Sequence, residues 1–320
     1  MRVLLTGSAG FIGFHTARAL LERGDEVVGF DNFNPYYDAT LKERRNATLE
    51  AYPEFRLVRG DLNDAARLDA AFDALGSGQG TRVCHLAAQA GVRHSIQHPE
   101  KFLRDNIDGF HQVISRCHQR DVEGLVFAST SSVYGNNPDL LLSETSNTDA
   151  QASLYGMTKK ANELEASVYH SLYGVRATGL RFFTVYGPWG RPDMALFLFT
   201  DAILHDRPIR VFGHGQMRRD FTFVSDIVQG VLGALDRCLP FAILNLGRGK
   251  PEELMEFIAT IERCCGREAE KELLPMQPGD VRQTYADVSR ARELVGYEPE
   301  VTIAEGVPRF VEWYREYHGL

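Results

Sequence analysis

A tyrosine and a lysine stand four residues apart, at Tyr155 and Lys159, in the sequence Tyr-Gly-Met-Thr-Lys. If this segment is helical, the spacing places the phenol and the ammonium group on one face. A tyrosine acts as a base at neutral pH only when its pKa falls well below the usual value near ~10. A neighbouring cation lowers that pKa because it stabilises the phenolate. The pair is also commonplace on helix surfaces, so it predicts chemistry only together with other residues.

Hydroxyl side chains precede this pair in Ser129–Gly135, which reads Ser-Thr-Ser-Ser-Val-Tyr-Gly and follows an apolar run. In doubly wound sheets, ligands bind outside the carboxyl ends of the strands. A hydroxyl at this strand end would be able to share a hydrogen bond with Tyr155 and an oxygen of the substrate. A turn rich in Ser and Thr without such a role is the alternative.

Three glycines follow the first apolar run, at Gly7, Gly10 and Gly13. Such glycines allow a tight turn, a close approach of a diphosphate to the backbone, and close packing of helix on strand. The helix that follows would offer its N–H groups to the phosphates. A tight turn without a ligand has the same pattern, but the second predicted strand is followed by Asp31. A carboxylate there accepts from the 2′-hydroxyl of an adenine ribose and repels a 2′-phosphate, which predicts NAD rather than NADP.

A second acidic residue, Asp61, follows the third predicted strand. Its carboxylate would either face the adenine or cap the helix that comes next. The pattern alone leaves both roles open.

Short apolar runs alternate with helical patterns over the first half of the chain. We predict strands at Arg2–Thr6, Glu26–Phe30, Phe55–Arg59, Arg82–Leu86, Leu125–Ser129 and Arg176–Phe182. We predict helices at Phe11–Arg23, Leu41–Ala51, Ala65–Leu75, Pro99–Arg120 and Ser153–Tyr173. This alternation predicts an α/β fold with a Rossmann-type, doubly wound parallel sheet. We expect a nucleotide-binding domain at 1–180 and a smaller α/β substrate domain at 181–320, with part of 215–248 packing back onto the first.

The composition excludes several classes of function. The 320 residues include 35 basic and 43 acidic side chains, a net charge of −8, which argues against a nucleic-acid partner. The five cysteines have no spacing typical of zinc sites or of a disulfide framework, so we expect reduced thiols and no metal. No apolar run is long enough for a signal or membrane segment, which favours a cytoplasmic protein without a membrane partner.

Together these segments resemble the extended short-chain dehydrogenase/reductase family, in its nucleotide-sugar epimerase branch. The segments that carry the likeness span nearly the whole chain: Thr6–Gly13, His85–Gln89, Ser129–Gly135, Tyr155–Lys159, Arg181–Pro188 and Arg219–Val224. Within the branch the chain is most similar to UDP-glucuronate 4-epimerases. That closer likeness rests on Asp31–Asp38, Leu41–Arg44, Met276–Val281 and Thr284–Asp287.

The resemblance implies a catalytic group of Thr130, Tyr155 and Lys159, with Asn106 supporting the site. Tyr155 would remove the proton of the sugar C4 hydroxyl while hydride passes to NAD⁺; the 4-keto sugar would then turn over and take the hydride back on its other face. The implied NAD contacts are Gly7, Gly10, Phe11, Ile12, Gly13, Asp31, Asn32, Asp61, Leu62, Leu86, Ala87, Ala88, Asn106, Ser129, Tyr155 and Lys159.

The residues after Thr130 bear on the choice of substrate. Sugar dehydratases of this family carry Asp-Glu after the catalytic threonine, and decarboxylases a glutamate two positions after it, whereas this chain has Ser131 and Ser132. Short hydroxyls donate to a substrate carboxylate that an acidic side chain would repel. Thr184 stands where UDP-galactose 4-epimerases usually have asparagine, and it is either a further donor or a β-branched strand residue.

We therefore predict a UDP-glucuronate 4-epimerase, with a UDP-glucose/UDP-galactose 4-epimerase as the nearest alternative and a decarboxylase or a non-catalytic NAD sensor behind it. Arg93 would reach the substrate carboxylate or the diphosphate, and Phe212 would lie by the uracil or in the core. The predicted substrate contacts are Arg93, Ser131, Ser132, Thr184, Arg191, Phe212, Arg219 and Asp280. Pairing of Pro99–Arg120 and Ser153–Tyr173 with a second copy would give the homodimer common in the family.

Overall fold

One large parallel sheet organises the computed structural model, which describes residues 1–277 and 281–320. The strands are β1 (Arg2–Thr6), β2 (Glu26–Asp31), β3 (Phe55–Arg59), β4 (Gly78–His85), β5 (Val122–Thr130), β6 (Ala177–Phe182), β7 (Thr184–Tyr186), β8 (Ile209–Val211), β9 (Arg218–Arg219), β10 (Phe221–Phe223), β11 (Phe241–Leu246), β12 (Glu252–Glu253) and β13 (Lys271–Leu273). The sheet has the order β11-β6-β5-β4-β1-β2-β3, and all its pairings are parallel. This is the Rossmann order with one added strand, which confirms the predicted fold.

Helices cover both faces of this sheet. They are α1 (Phe11–Glu22), α2 (Ala39–Leu49), α3 (Ala65–Leu75), α4 (Val92–Gln97), α5 (Pro99–Phe102), α6 (Gly109–Gln119), α7 (Leu154–Tyr173), α8 (Ala195–Leu204), α9 (Val224–Arg237), α10 (Leu254–Cys265), α11 (Ser289–Val295) and α12 (Ile303–His318). Successive side chains of β1 alternate between the faces: Val3 and Leu5 join one buried cluster and Leu4 joins the other. Strands buried on both faces must be apolar almost throughout, which explains the uninterrupted apolar runs.

The second half of the chain adds smaller pieces to this sheet. Strands β7 and β10 pair in parallel, as do β8 and β13, while β9 and β12 are antiparallel. Strand β11 returns to the large sheet and pairs with β6. The domain limits at residue 180 stay a prediction.

The predicted helix Pro99–Arg120 is the element that differs most from expectation. It is helical over this length, but a π-helical segment, Leu103–Asp108, separates α5 from α6. The sequence also gave no sign of α4, and β4 begins four residues before its predicted start. A π segment adds a residue to one turn and shifts the side chains that follow, an effect that hydrophobic periodicity does not reveal.

Glycines determine how closely the first turn packs. A Cβ on Gly13 would lie 2.0 Å from the Gly7 carbonyl oxygen, and a Cβ on Gly7 would lie 2.7 Å from the Ala87 nitrogen. Gly7 also has a φ of +75°. The turn, the start of α1 and the segment after β4 therefore touch through backbone atoms alone.

No helix within 1–277 or 281–320 combines the length and apolar character needed to cross a membrane. The same two ranges contain no group of three or more His, Cys, Asp or Glu side chains arranged to hold a metal ion. The five cysteines are free thiols, and all except Cys264 are buried.

Replacing Gly13 by alanine tests the packing of the first turn. We expect a loss of about 3 kcal/mol in the free energy of unfolding, because the added methyl overpacks backbone that has no room to move, and weaker retention of NAD. Gly266→Ala is the matched control, since Gly266 has a φ of +71° but nothing within 4 Å of an added Cβ. The control should lose only about 1 kcal/mol. Equal losses in urea unfolding would contradict the close-packing argument.

Candidate active site

The glycine-rich turn lies beside the carboxylate that ends β2. Asp31 is buried, and its Oδ2 accepts from the Ala9 backbone nitrogen at 3.1 Å while Oδ1 accepts from Phe33 at 2.8 Å. Each carboxylate oxygen has further acceptor capacity. The close backbone turn, in which a Cβ on Gly10 would meet the Gly7 oxygen at 2.9 Å, fits a dinucleotide diphosphate. The neighbouring carboxylate fits its ribose.

The second acidic residue is placed by hydrogen bonds next to the first. Asp61 accepts from the Asn32 side chain at 2.9 Å and from the Asn63 backbone at 3.0 Å. The cap of α3 is instead Asp64, whose side chain accepts from Arg67 at 3.1 Å. The alternative role of Asp61 as a helix cap is therefore wrong, and its role at the adenine stays a prediction.

The segment after β4 closes the other side of this crevice. Leu86 donates its backbone N–H to the Thr6 carbonyl at 3.1 Å, and Ala87 donates to the Thr6 hydroxyl at 3.2 Å. Among the remaining predicted cofactor contacts, Phe11 and Leu62 are buried, whereas Ile12 and Ala88 are partly exposed.

Tyr155 and Lys159 lie on the first turns of α7, as the spacing predicted. Ser153 caps this helix by accepting from Gly156 at 3.0 Å. A Cβ on Gly156 would lie 2.6 Å from the Ser132 carbonyl oxygen, so the helix packs directly on the turn that follows β5. This contact brings Tyr155 to the hydroxyl-bearing strand end.

Thr130 is the hydroxyl that meets Tyr155. Its Oγ1 accepts from the Ser132 backbone at 3.2 Å and donates to the Ser132 hydroxyl at 3.3 Å, which caps the short 3₁₀ turn Ser131–Tyr134. A hydrogen bond between Thr130 and Tyr155 acts to lower the pKa of the phenol. The end of β5 and the start of α7 are thus joined by the hydrogen bond between the Thr130 and Tyr155 hydroxyls.

The charges around Tyr155 only partly match the sequence prediction. Burial raises the pKa of Tyr155, while the positive charge of Arg191 and the bond to Thr130 oppose that rise. Lys159 is almost fully buried, and this burial lowers its pKa to about 8 although Glu163 acts in the opposite direction. The cation that acts on the phenol here is Arg191, which the sequence had assigned only to the substrate.

A buried polar group lies next to the predicted catalytic residues. Glu163 accepts from the Ser129 hydroxyl at 2.7 Å and pairs with both Arg181 Nε and Nη2 at 2.8 Å. The hydroxyl proton of Ser129 is thus used in its hydrogen bond to Glu163. His85 bonds Thr6 through Nδ1 at 2.8 Å, and burial together with the charge of Lys159 lowers the pKa of His85 to about 3, so the ring is neutral.

Asn106 fixes the loop after β4 against α7. Its side chain accepts from the Gln89 nitrogen at 2.8 Å and donates to the Gln89 oxygen and to the Thr158 hydroxyl, both at 3.0 Å. Its carbonyl, in the π-helical segment, accepts from Asn162 at 2.8 Å. Asn106 therefore supports the site by joining three segments.

On the substrate side, Arg191 is paired with an acid. Its guanidinium donates to Asp193 at 3.0 and 2.5 Å, and the Tyr36 hydroxyl donates to the same carboxylate at 3.1 Å. A cavity next to Arg191 is also lined by Phe11 and Thr184. Candidate cofactor and substrate residues therefore border one space.

The other predicted substrate residues make contacts of their own. The Arg93 guanidinium stacks on the Phe212 ring at 5.0 Å, which joins the two halves of the chain. Arg219 donates to the backbone carbonyl of Arg282 at 3.1 Å. Ser131 is partly exposed, and Asp280 lies outside the described residues.

Sequence reasoning missed several residues that shape the site. They are His15, Tyr36, Arg45, Gln89, Glu163 and Asp193. The Arg-Pro-Asp order at 191–193 was the one visible signal, since side chains two apart in a turn are able to pair. The other contacts join residues distant in sequence.

The comparisons with known proteins assign the family. The model of the NAD dependent epimerase/dehydratase family matches residues 3–247. The chain belongs to this family. Its membership confirms the resemblance and the NAD cofactor predicted from Asp31.

Members with full-length similarity include two curated relatives and a solved structure. An uncharacterized protein of Methanocaldococcus jannaschii is 46% identical over 98% of this chain and 96% of its own length. A probable UDP-glucuronate 4-epimerase of Rhizobium meliloti is 45% identical over 98% of this chain and 97% of its own. The UDP-glucuronic acid 4-epimerase of Bacillus cereus, solved with UDP-glucuronic acid and NAD, superimposes with a TM-score of 0.91 at 34% identity, covering 99% and 100% of the two chains.

Replacing Lys159 of this chain by methionine tests how much its buried charge costs in stability. We expect turnover to fall about 100-fold, while the free energy of unfolding at pH 7 rises by about 2 kcal/mol because a desolvated cation is removed. The folded-state pKa of about 8 lies below the ordinary 10.5. Between these values the unfolded chain binds a proton that the folded chain does not, so wild-type stability rises with pH and the advantage of methionine shrinks.

Lys160→Met is the control, since Lys160 is the next residue and only partly buried, 3.8 Å from Glu163. We expect a stability change within about 0.5 kcal/mol and no pH-dependent advantage. Urea unfolding from pH 6 to 10 makes the comparison. A Lys159→Met protein less stable than wild type at pH 7 would contradict the argument.

Proposed function

We propose that this chain interconverts UDP-glucuronate and UDP-galacturonate by NAD-dependent epimerisation at C4. The observation that carries the proposal is a set of short hydroxyls: Ser131 and Ser132 directly follow Thr130, which bonds Tyr155, and Thr184 begins β7 and lines the cavity next to Arg191. No acidic side chain stands at these three positions. The names of the Rhizobium meliloti and Bacillus cereus relatives support the same substrate.

Each catalytic residue has a role that its surroundings support. Tyr155 takes the proton of the C4 hydroxyl and later returns it, with Thr130 sharing the hydrogen bond. Bound NAD supplies reversible hydride acceptance at C4. Because burial raises the pKa of Tyr155, positive charge near the phenol is needed to make it a base. Arg191 provides such charge, and Lys159 stays a predicted contact of the bound NAD.

The hydroxyls also address the hazard of an acidic substrate. A 4-keto-glucuronate is a β-keto acid. It loses CO₂ when the C–C bond between the sugar ring and the carboxylate is aligned with the π system of the C4 carbonyl. Hydrogen bonds from Ser131, Ser132 and Thr184 would hold the carboxylate out of that alignment. A carboxylate side chain at these positions would repel it instead. The same hydroxyls would also tolerate a neutral sugar, so the UDP-glucose/UDP-galactose reaction is the second candidate.

Product analysis by NMR decides between these reactions. With UDP-glucuronate we expect UDP-galacturonate, no CO₂ and no net NADH, and with UDP-glucose much slower conversion. Tyr155→Phe should lower turnover about 1000-fold, because the proton acceptor is lost. Tyr173→Phe, at the exposed far end of α7, is the control and should turn over as wild type does.

Each other outcome has a distinct meaning. A UDP-pentose product would indicate a decarboxylase, and faster conversion of UDP-glucose would favour the neutral substrate. Undiminished turnover by Tyr155→Phe would contradict the assigned base. Bound NAD without conversion of either sugar would favour the sensor.

We also propose that two copies pair through α6 and α7. Leu164, Val168 and Leu172 repeat every four residues along α7 and are 57, 52 and 66% exposed. Such a stripe on a long surface helix is typical of an interface. The neighbouring α6 packs against α7 and would extend the surface.

Val168→Glu should convert the dimer to a monomer, because a charge would be buried in its centre. Light scattering after size-exclusion chromatography gives the mass. Leu141→Glu, a change at a leucine that is 44% exposed away from α7, is expected to leave the dimer intact. A monomeric wild type, or a dimeric Val168→Glu protein, would rule out this interface.

A further inference from the structure

The carbonyl groups of the turn before Arg191 accept hydrogen bonds from the cofactor half of the chain. The carbonyl of Pro188 accepts from His15 Nε2, on α1, at 2.8 Å. The next two carbonyls, of Trp189 and Gly190, accept from Arg45 on α2, the latter at 3.4 Å. Three successive carbonyl groups are thus fixed by two side chains that are far away in sequence.

Arg45 also reaches the glycine-rich turn. Its Nη1 donates to the Ala9 carbonyl at 2.9 Å and lies 3.0 Å from the Tyr37 hydroxyl. The backbone nitrogen of Ala9 is the one that Asp31 holds. One guanidinium therefore bonds the turn expected at the NAD diphosphate and the turn that carries Arg191.

The burial of this cation indicates more than packing. Arg45 is 0% exposed, and within residues 1–277 and 281–320 it forms no ion pair with a carboxylate. Its Nε has no partner among the same residues. The charge of Asp31 acts on Arg45 from outside ion-pair distance. Burying a charge without a directly bonded carboxylate is costly, and an apolar side chain of similar volume would fill the space at lower cost.

The held turn also has an unusual backbone. Trp189 has a φ of +60°, in the left-handed region that a large side chain rarely adopts. Its ring packs between Phe14 and Trp313, at centroid distances of 5.5 and 5.4 Å. Hydrogen bonds on both sides of this residue hold the conformation that places Arg191 beside Asp193 and the cavity.

We propose that Arg45, assisted by His15, is a positioning residue that sets the substrate arginine Arg191 relative to the cofactor turn. His15 serves as a neutral donor, since burial lowers its pKa to about 4. The substrate named below rests on the proposed function, whereas the coupling of the two turns does not. A change at Arg45 should therefore disturb both nucleotide sites without removing a group that touches the reacting atoms.

Tryptophan fluorescence gives a direct readout, because Trp189 and Trp313 are the two tryptophans of the chain. In a Trp313→Phe background, Trp189 alone reports on the turn. In this Trp313→Phe protein, which keeps Arg45, we expect UDP to change the Trp189 emission. In Arg45→Met the emission should already be red-shifted without UDP, and UDP should change it little. Retention of NAD through gel filtration should fall as well.

Kinetics with UDP-glucuronate separate positioning from catalysis. In Arg45→Met we expect KM to rise about tenfold or more, because bonds to a charged group that position Arg191 are lost. The kcat should fall by a smaller factor, because Arg191 is displaced from Tyr155 but not removed. Arg45→Lys keeps the charge and should recover part of both signals. His15→Leu removes only the bond to Pro188 and should shift Trp189 emission in the same direction by less.

Arg82→Met is the matched control. Arg82 is also a buried arginine that donates to backbone carbonyls, of Thr81 and Leu235, away from both turns, and it differs from Arg45 in also pairing with Glu123. It should leave Trp189 emission, NAD retention and KM unchanged. The proposal is overturned if Arg45→Met and His15→Leu leave all three readouts unchanged, or if Arg82→Met reproduces them. Wild-type protein without epimerase activity would contradict the proposed function alone, since the fluorescence and NAD readouts need no turnover.

Discussion

The parallel register of β1, β4 and β5 is the constraint on which the whole site depends. Thr6 lies opposite His85, and His85 lies opposite Phe127, so the three strands end along one edge of the sheet. Every segment that leaves this edge begins within a few residues of the others: the glycine-rich turn, the loop that Asn106 holds, and the hydroxyl-bearing turn after Thr130. A slip of one residue in any pairing would turn its side chains to the opposite face.

The sequence predicted the parts of this edge that local patterns encode. Alternating apolar runs gave β1, β3 and α3 with their observed bounds, and the four-residue spacing of Tyr155 and Lys159 gave their place on one helix. Asp31 predicted the cofactor, and family membership agrees. These features follow from neighbours in the chain, so a single sequence is sufficient to see them.

The contacts that join distant segments were beyond such reasoning. Arg191 pairs with Asp193 and acts on Tyr155, and Arg45 reaches two turns through backbone carbonyls, which carry no sequence signature. The π-helical segment around Asn106 leaves the hydrophobic pattern of the helix unchanged. The individual roles of the site residues stay predictions.

Strand β11 has a consequence for how the chain reaches its native state. The nucleotide-binding sheet is completed only when residues 241–246 pair with β6, about 60 residues after β6 has been made. Until then β6 is an edge strand with unpaired backbone groups and an apolar surface. During synthesis on the ribosome, the first half of the chain would therefore expose this unpaired, apolar strand edge until β11 is made. A fragment ending just after β6 would keep that edge permanently and tend to aggregate, so the large sheet needs both halves of the chain to be complete.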